Sequence, residues 1–370
     1  MNKITYVGLD THKNSIQVCM LLPQSQDRVE WNLPNTPEDI RKMARTLKRR
    51  SEGSLQVCYE AGPLGFSLQR QLLALDIPCE VIAPTTIPHR SGDKVKTDRL
   101  DAFRLARWHS HQEMSIVHPP TLEQEAVRDL CRCRISAKKD QTRARHRVAK
   151  FLTRHGHRYD DGKRAWTQQY YGWLQRQHFD QSATQTAFDS YLLSVVGLDE
   201  RVKSLELAMG NIAEQPFYQT MVGYLRCFRG INTVTALSLA AELYSIERFP
   251  KARNLMDFVG LVPGESSTGE DERRLPITKR GNSVVRHLLV EAAWHYRHPP
   301  QASVTLRERR QGQPGWAVAI SERASNRLHR RYRALVARHK HPNKVVAALA
   351  RELAGFIWEM MIQAHLETRS

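Results

Sequence analysis

Two aspartates three residues apart, Asp98 and Asp101, constrain the chain more than any other feature. If Asp98 opens a helix, both carboxylates lie on one face of its first turn, because side chains at i and i+3 are neighbours. Leu100, Phe103 and Ala106 then face inward. Carboxylates this close repel one another unless a cation lies between them, and Mg²⁺ suits a site built from carboxylates alone. Acidic residues in a first turn also favour the helix dipole, so the pair by itself leaves both interpretations open.

The charge balance indicates a polyanionic partner. The chain has 370 residues, of which 56 are Lys or Arg and 38 are Asp or Glu, a formal net charge of +18. Such an excess is typical of proteins that bind nucleic acid or an anionic membrane surface. A hydrophobic share of 41% indicates a folded protein, and the length favours two or three domains.

Membrane and secretory classes are disfavoured by the hydrophobic pattern. The chain contains no apolar run long enough to cross a bilayer, and its first residues lead into a strand pattern and not into a signal peptide. The six cysteines are scattered, which favours reduced, partly buried thiols over a disulfide framework or a zinc site. These observations predict a cytoplasmic protein.

The first part of the chain reads as a mixed α/β domain. Alternating β-branched and aromatic residues predict strands, and Thr36 followed by a proline and two acids predicts a helix start. The predicted elements are strands over 4–10, 15–22 and 29–33, a helix over 37–50, a strand over 55–60, a helix over 65–75, a strand over 79–84 and the helix opened by Asp98. A basic loop over 89–96 precedes that last helix.

Two further acids stand at ends of predicted strands. Asp10 closes the first strand, and Glu60 closes the fourth. This arrangement resembles the ribonuclease-H-like nucleases, specifically their RuvC-like branch of the DEDD type, in which the strand that carries the first Asp lies next to the later strand that carries the Glu. The resemblance implies that Asp10, Glu60, Asp98 and Asp101 converge on one or two Mg²⁺ ions, which clamp the attacking and leaving oxygens of a phosphodiester.

Two long helices follow, over about 121–155 and 183–213. The first has a heptad-like apolar stripe from Val127 to Phe151, interrupted by Arg134 and Gln141. Residues 128–154 include ten Lys or Arg and two Asp, a local balance of +8 that favours phosphate contact over a solvated face. The aromatic residues of the connector over 156–182 are interpreted as local packing. The pair of helices predicts an antiparallel or intermolecular coiled coil, and hence an arm that oligomerises.

The remaining third of the chain reads as mostly helical. Residues 225–236 resemble a helix-hairpin-helix, but Asn232 replaces the second glycine, so an ordinary helical turn is equally consistent. An apolar helix over 345–361 predicts a domain core. The preceding segment 321–344 has eight Lys or Arg against Glu322, which slightly favours phosphate contact over a solvated face.

A hydroxyl-rich segment, Ser266-Ser267-Thr268-Gly269, separates two helices of this part. Composition alone favours a flexible linker. A serine attacks a phosphate only with a base or metal nearby and with the phosphate charge neutralised. Four cations follow the segment and supply that neutralisation: Arg273, Arg274, Lys279 and Arg280.

Four motifs together resemble one family. They are Gly-Leu-Asp-Thr-His-Lys, Tyr-Glu-Ala-Gly, Lys-Thr-Asp-x-x-Asp-Ala, and Gly-Leu-Val-Pro followed by Ser-Ser-Thr-Gly and Ile-Thr-Lys-x-Gly-Asn. They look like the insertion-sequence transposases with a DEDD domain and a serine-bearing second domain, known as bridge-RNA-guided recombinases, over nearly the whole chain to about residue 298. The resemblance implies Ser267 as the catalytic serine, with Ser266 in reserve, and the four acids as metal ligands.

This resemblance implies an RNA-guided DNA recombinase that excises and inserts its own mobile element in the bacterial cytoplasm, associated with the nucleoid when active. Donor and target DNA, a noncoding bridge RNA, Mg²⁺ and a tetramer built as a dimer of dimers are the implied partners. Its fold class is an α/β RuvC-like domain over 1–118, long coiled-coil helices over 119–220 and a mostly α-helical, serine-bearing domain over 221–370. Two competing functions are a metal-dependent junction-resolving endonuclease that activates water, and a basic nucleic-acid-binding scaffold without catalysis.

Overall fold

The computed structural model describes residues 3–23, 28–84, 97–111, 114–159, 164–268 and 271–367, with residues 265–268 and 271–274 described by their backbone alone. The predicted basic loop over 89–96 lies outside these ranges. The chain divides into two compact units, Met1–Pro120 and Thr121–Ser370.

A mixed six-stranded sheet forms the centre of the first unit. Its order is β3-β2-β1-β4-β5-β6, in which β1, β2 and β3 pair antiparallel, β1, β4 and β5 pair parallel, and β6 is antiparallel to β5. The strands are β1 Ile4–Thr11, β2 Ser15–Leu21, β3 Arg28–Pro34, β4 Ser54–Glu60, β5 Cys79–Ile82 and the short β6 Ile116–Val117, which the sequence did not predict.

Three helices accompany this sheet: α1 Pro37–Arg50, α2 Ser67–Leu73 and α3 Asp98–Ser110. The predicted cap of α1 is confirmed, since the side chain of Thr36 accepts a hydrogen bond from the backbone N–H of Asp39. Helix α3 begins at Asp98 as predicted, with Thr97 as its N-cap.

The predicted inward face of α3 was partly wrong. Ala106 is buried, but Leu100 and Phe103 are only half-buried, and the buried face consists of Ala102, Leu105, Ala106 and His109. The difference arises because α3 contacts β1 through its middle turns, so residues 102–106 face the strand.

The second unit is almost entirely helical. Its helices are α4 Leu122–Arg154, α5 Gln168–Gln175, α6 Ser182–Ala213, α7 Pro216–Leu225, α8 Thr233–Leu243, α9 Ala252–Phe258, α10 Ser283–Ala293, α11 Val304–Arg310, α12 Gly315–Val336 and α13 Pro342–Glu367, with 3₁₀ turns at Ile246–Arg248 and Trp294–Arg297. Ten residues of helix α13 are buried, nine of them within the main hydrophobic core of this unit, which confirms the prediction for the apolar segment 345–361. Among the described helices, none combines the length and the apolar character needed to cross a bilayer.

The two long helices, α4 and α6, pack against each other in antiparallel directions. Arg145 and Gln141 of α4 both hydrogen-bond to Asp199 of α6, while Arg134, one turn or more earlier on α4, pairs with Glu206 further along α6. Buried residues of α6 recur every seven positions, at 188, 195, 202 and 209. The connector between the helices contains α5, which the sequence did not predict, and its aromatic residues pack locally as expected.

The hydroxyl-rich segment is not a loop. Residues Pro263–Thr268 form β7 and Asp271–Ile277 form β8, which pair as an antiparallel hairpin. The linker prediction from composition was therefore wrong. Backbone pairing across the hairpin satisfies N–H and C=O groups that a linker would expose to water.

Candidate active site

Asp10 lies near the carboxyl end of β1, one of the two central strands of the first unit. The neighbouring strand β4 runs parallel to β1 and ends at the exposed Glu60. Paired parallel strands bring their carboxyl ends to the same edge of a sheet, so Asp10 and Glu60 share that edge.

Helix α3 approaches β1 closely because position 8 has no side chain. A Cβ atom on Gly8 would meet the backbone oxygen of Ala102, the backbone nitrogen of Ala106 at 2.5 Å and the Cβ of Leu105 at 2.9 Å. Only glycine permits this approach. The close packing carries the first turn of α3, with its two aspartates, towards the end of β1.

Asp10, His12 and Asp98 form a compact cluster. One ligand atom of each side chain lies within 4.8 Å of the others. The Nε2 atom of His12 is 3.3 Å from Oδ2 of Asp10 and 3.6 Å from Oδ1 of Asp98. Two residues that are far apart in the chain, Asp10 and Asp98, are thus brought together, and His12 lies between them.

His12 is the member of the cluster that was not among the candidate residues predicted from the sequence. It lies in the turn between β1 and β2. Its presence two residues after Asp10, within the Gly-Leu-Asp-Thr-His-Lys motif, was the available signal. A histidine in the turn after a strand does not by itself indicate a site. His12 has Asp98 as a second carboxylate partner only because α3 packs on β1.

Asp101 and Glu60 lie outside this three-residue group. Asp101 is on the first turn of α3, and its carboxylate is 3.5 Å from Nη1 of Arg104. Its charge still acts on Asp10, whose pKa it helps to raise. Among the described residues, the group with converging ligand atoms contains Asp10, His12 and Asp98 and does not contain Glu60.

The electrostatics of Asp10 are those of a crowded acidic site. Burial raises the pKa of Asp10 above its usual range, and the neighbouring carboxylates of Asp98 and Asp101 raise it further, while His12 opposes them. Only 20% of the Asp10 side chain is exposed, against 57% for Asp98. A carboxylate that is disfavoured by burial and by like charges gains from a nearby cation.

The donor atoms of the cluster fit a divalent cation. Carboxylate oxygens are the ligands that Mg²⁺ prefers, and an imidazole nitrogen adds a neutral ligand. Asp10 and Asp98 would hold such an ion, with His12 and Asp101 beside it.

An ion pair holds the first turn of α3 to the sheet. Arg99, the residue after Asp98, donates from Nε to Oε2 of Glu30 on β3 at 2.8 Å. The side chain of Glu30 is 6% exposed, and Arg28 binds its other oxygen at 2.9 Å. The pair therefore limits how far the start of α3, and the two aspartates that it bears, can move from the sheet.

In the second unit, the hairpin register defines the surroundings of the two candidate serines. Ser266 pairs with Arg273, and Ser267 pairs with Glu272. The side chains of these residues and of Arg274, and the whole of Gly269, lie outside the described part of the chain. The backbone thus places both serines on β7, directly opposite a charged pair of residues on β8.

The base of the hairpin is held by backbone contacts. Gly260 adopts φ +64° and Gly281 φ +70°, values that favour glycine, and a Cβ on Gly260 would meet the backbone nitrogen of Arg280 at 2.6 Å. The guanidinium of Arg286 donates to the carbonyls of Val259 and Arg280 at 2.8 and 3.1 Å. These contacts fix both ends of the hairpin to the start of α10.

A buried carboxylate links this region to the long helix α4. Glu242 on α8 is 2% exposed and accepts two hydrogen bonds from Arg132 of α4, at 2.7 and 3.0 Å. It also accepts from Nδ2 of Asn282 at 2.7 Å. Asn282 in turn caps α10 by accepting from the backbone N–H groups of Val284 and Val285. Glu242 therefore connects α4, α8 and the end of the hairpin.

Half of the cations on α4 are neutralised within the unit. Arg128, Arg132, Arg134, Arg143 and Arg145 each form an ion pair with a carboxylate. Within the described residues, no ion pair involves the other five, which are Lys138, Lys139, Arg147, Lys150 and Arg154. The charge excess read from the sequence therefore overstates what α4 offers to a phosphate backbone.

Two family models match the chain in the same order as its two units. Residues 7–156 match a DEDD transposase domain, and residues 223–305 match the transposase domain described as the IS116/IS110/IS902 family. The first match includes Asp10, Glu60, Asp98 and Asp101, and the second includes the β7–β8 hairpin.

Curated relatives cover nearly the whole chain. A putative transposase of Sinorhizobium fredii is 39% identical over 98% of this chain and 90% of its own length. A transposase for the insertion sequence element IS1533 of Leptospira borgpetersenii is 34% identical over 92% of this chain and 99% of its own length. A transposase for the element IS1111A of Coxiella burnetii is 24% identical over 98% and 90%. The chain thus belongs to the IS116/IS110/IS902 family of insertion-sequence transposases, enzymes that act on DNA.

Proposed function

We propose that this transposase cleaves and rejoins DNA through Ser267, assisted by Mg²⁺ held by Asp10, Glu60, Asp98 and Asp101. The observation that supports this most directly is the convergence of Asp10 and Asp98 from the end of β1 and the start of α3. The close approach of α3 at Gly8 and the Arg99–Glu30 pair maintain that convergence.

The acids and the serine have different roles in this scheme. A bound Mg²⁺ supplies charge neutralisation and polarisation of a phosphoryl oxygen. Asp10, more buried than Asp98, orients the site, and His12 bridges the two carboxylates. Ser267 supplies the nucleophile, and the cations of 273–280 neutralise the phosphate that it attacks.

The serine step conserves the number of phosphoester bonds. The Ser267 hydroxyl loses its proton to a neighbouring base as Oγ bonds to phosphorus, and the bond from phosphorus to the leaving strand oxygen breaks. That oxygen takes up a proton. A hydroxyl of another strand later attacks the same phosphorus and releases the serine, which regains a proton. Strands are thus exchanged without an external energy source.

Substitution of each serine tests the nucleophile. Ser267→Ala is expected to abolish both DNA cleavage and a covalent protein–DNA adduct that survives denaturation, while the matched variant Ser266→Ala retains both. The reverse result would assign the role to Ser266. Cleavage without an adduct in both variants would indicate an endonuclease that activates water and would contradict the serine mechanism.

Substitution of the acids tests the metal site separately. Asp98→Asn combined with Asp101→Asn is expected to remove Mg²⁺-dependent cleavage but to leave DNA binding in place. Retained function in this double variant would point to a binding scaffold in which the acids only favour the helix dipole.

The strand order supports a RuvC-like, ribonuclease-H-like assignment for the first unit. Three antiparallel strands precede two parallel ones, and the Asp10 strand adjoins the Glu60 strand as that fold requires. We also propose the three-part organisation 1–118, 119–220 and 221–370, with the long helices as a separate arm within the helical part of the chain.

We infer that α4 and α6 form a coiled coil whose outer face assembles a tetramer. The seven-residue spacing on α6 and the antiparallel pairing with α4 support a coiled coil. Large apolar side chains also remain exposed on α6, among them Leu193 at 72% and Leu207 at 68%. Light scattering of Leu193→Asp combined with Leu207→Asp should show a smaller assembly if this face is an interface.

We propose that a noncoding bridge RNA directs the enzyme to donor and target DNA in the cytoplasm. The support is the net charge of +18 together with exposed cations that lack a carboxylate partner among the described residues, such as Arg338 and Lys340 between α12 and α13. Sequencing of the nucleic acid that copurifies with the protein should yield a discrete RNA encoded beside its gene. Only nonspecific host RNA would contradict guidance.

A further inference from the structure

An open cleft of about 660 Å³ lies in the second unit, beside the turn that joins α7 to α8. It contains neither the acid cluster nor the candidate serines. Its polar lining comes from three places in the chain, namely that turn, the segment that follows α10, and α11. The polar lining residues are Arg229, Asn232, His295, His298, Gln301, Ser303 and Arg309.

The cleft has an uncompensated positive charge. Arg229 and Arg309 are half-buried, and both donate to backbone carbonyls, including that of Ile231, which is 2.6 Å from Nη1 of Arg309. No carboxylate lines the cleft, and within the described residues neither arginine forms an ion pair. Burial lowers the pKa of both guanidinium groups, and the neighbouring Arg226 lowers the pKa of Arg309 further. Half-buried cations without a counter-charge favour an anionic ligand.

The donors in the cleft suit a phosphate. Arginine binds phosphate oxygens through a planar fork of N–H groups. The exposed imidazoles of His295 and His298 add further donors. Gly230, at φ +79°, lets the turn lie against α10, where a Cβ would be 2.7 Å from the carbonyl oxygen of Ala292. The polar groups are thus supported by packed backbone.

Apolar side chains line the same cleft. Beside the cations, Pro299 is exposed and Ala302 is half-buried, while Leu306 is buried. A bare phosphate would leave this surface uncovered, and the backbone of a duplex presents only sugars and phosphates. An unpaired nucleotide has both an anionic group and a flat apolar base, and a cleft of this size holds one.

We propose that this cleft binds one nucleotide of single-stranded DNA, with its phosphate against Arg229 and Arg309 and its base against Pro299 and Ala302. The proposal rests on the action of the family on DNA and is independent of the roles proposed for the acids and serines. Strand cleavage and exchange generate single-stranded segments that such a site would hold.

Two arginines of α11, one inside the cleft and one outside it, provide the test. The full-length protein is titrated, without divalent cations, into a fluorescent single strand of about 16 nucleotides, followed by anisotropy. Arg309→Gln is expected to weaken binding about tenfold, the worth of one charge-assisted hydrogen bond. The negative slope of log binding constant against log salt concentration should also become shallower by about 0.7. Arg307→Gln removes the same charge from an exposed position on the same helix, outside the cleft, and should change affinity by less than about twofold.

A second variant guards against misfolding. Arg309→Gln removes the hydrogen bond to Ile231 and can destabilise the turn. Gln301→Glu places a negative charge at an exposed side chain on the cleft wall and keeps both arginines. It should weaken single-strand binding with an unchanged thermal midpoint, whereas Gln301→Asn should bind normally.

Several outcomes would overturn the proposal. Equal losses in Arg309→Gln and Arg307→Gln would indicate a diffuse charge effect, and unchanged affinity in both Arg309→Gln and Gln301→Glu would exclude the cleft. A loss confined to duplex DNA would exclude the unpaired nucleotide. Inorganic phosphate at matched ionic strength should compete with the strand in the native protein; phosphate binding without competition would assign the cleft to free phosphate. These outcomes do not depend on the roles proposed for the serines and the acids, because the assay measures binding and no cleavage occurs in it.

Discussion

Asp10 and Asp98 lie far apart in the chain and meet only because α3 packs on β1, whereas Ser266 and Ser267 face partners a few residues away in one hairpin. The acid cluster therefore depends on the core of the first unit. The hairpin depends on its own backbone pairing and on the contacts at its base, at Gly260, Gly281 and Arg286. Substitutions that disturb the packing of α3 on β1 should thus affect the acids strongly and the hairpin little.

The largest expected effect is on the acids themselves. Asp10→Asn should reduce Mg²⁺-dependent cleavage by about 100-fold or more, since a bound metal contributes several kcal/mol to the transition state. Asp76→Asn is the matched control, because Asp76 is exposed and its φ of +54° suits asparagine. Cleavage rates at saturating DNA measure both variants. A comparable rate for Asp10→Asn would remove Asp10 from the site.

The second unit has its own long-range link, and breaking it should cost about 3 kcal/mol. Glu242→Ala leaves Arg132 without its carboxylate partner and Asn282 without its acceptor. Chemical denaturation measures the loss, and Glu359→Gln, which removes an exposed pair with Arg323, should cost less than about 1 kcal/mol. Similar losses of unfolding free energy in the two variants would mean that the buried Glu242 contacts do not organise the hairpin base.

Gly8, where α3 lies close to β1, tests whether the acid cluster depends on this packing more than the hairpin does. Gly8→Ala should destabilise the first unit by about 1–3 kcal/mol, because the added methyl meets the backbone of α3. It should weaken metal affinity without altering the hairpin. Gly197→Ala is the control of opposite sign: this exposed position in α6 has open space around it, so alanine should stabilise the helix by about 1 kcal/mol. A neutral Gly8→Ala would mean that α3 does not lie tightly on β1.

The smallest effect is expected from the pair that steadies α3. Arg99→Gln should weaken metal affinity about two- to fivefold, since a partly exposed ion pair contributes up to about 1 kcal/mol. Arg28→Gln removes the other partner of Glu30 but lies on β3, and it should leave metal affinity nearly unchanged. Isothermal titration of the metal distinguishes them, and equal effects would contradict a positioning role for Arg99.

Helix caps and apolar periodicity predicted helices well, because these signals lie in the residues of the helix itself. Thr36 caps α1 as expected, and α4 and α6 begin and end within one residue of their predicted limits, whereas α13 extends three residues before and six residues after the predicted segment 345–361. The hairpin was missed because Ser, Thr and Gly favour loops by composition, while strand pairing is decided by the facing segment. Leu100 and Phe103 were misassigned because the helix period does not reveal which turns touch the sheet.

The sequence by itself determined the spacing of the four acids, the basic excess and the order of motifs that identifies the family. Only the tertiary structure decided that His12 joins Asp10 and Asp98, that half of the cations on α4 are already paired, and that a cationic cleft lies beside Gly230. The physical reason is that such contacts depend on where distant segments meet, and the packing of the whole unit sets where they meet.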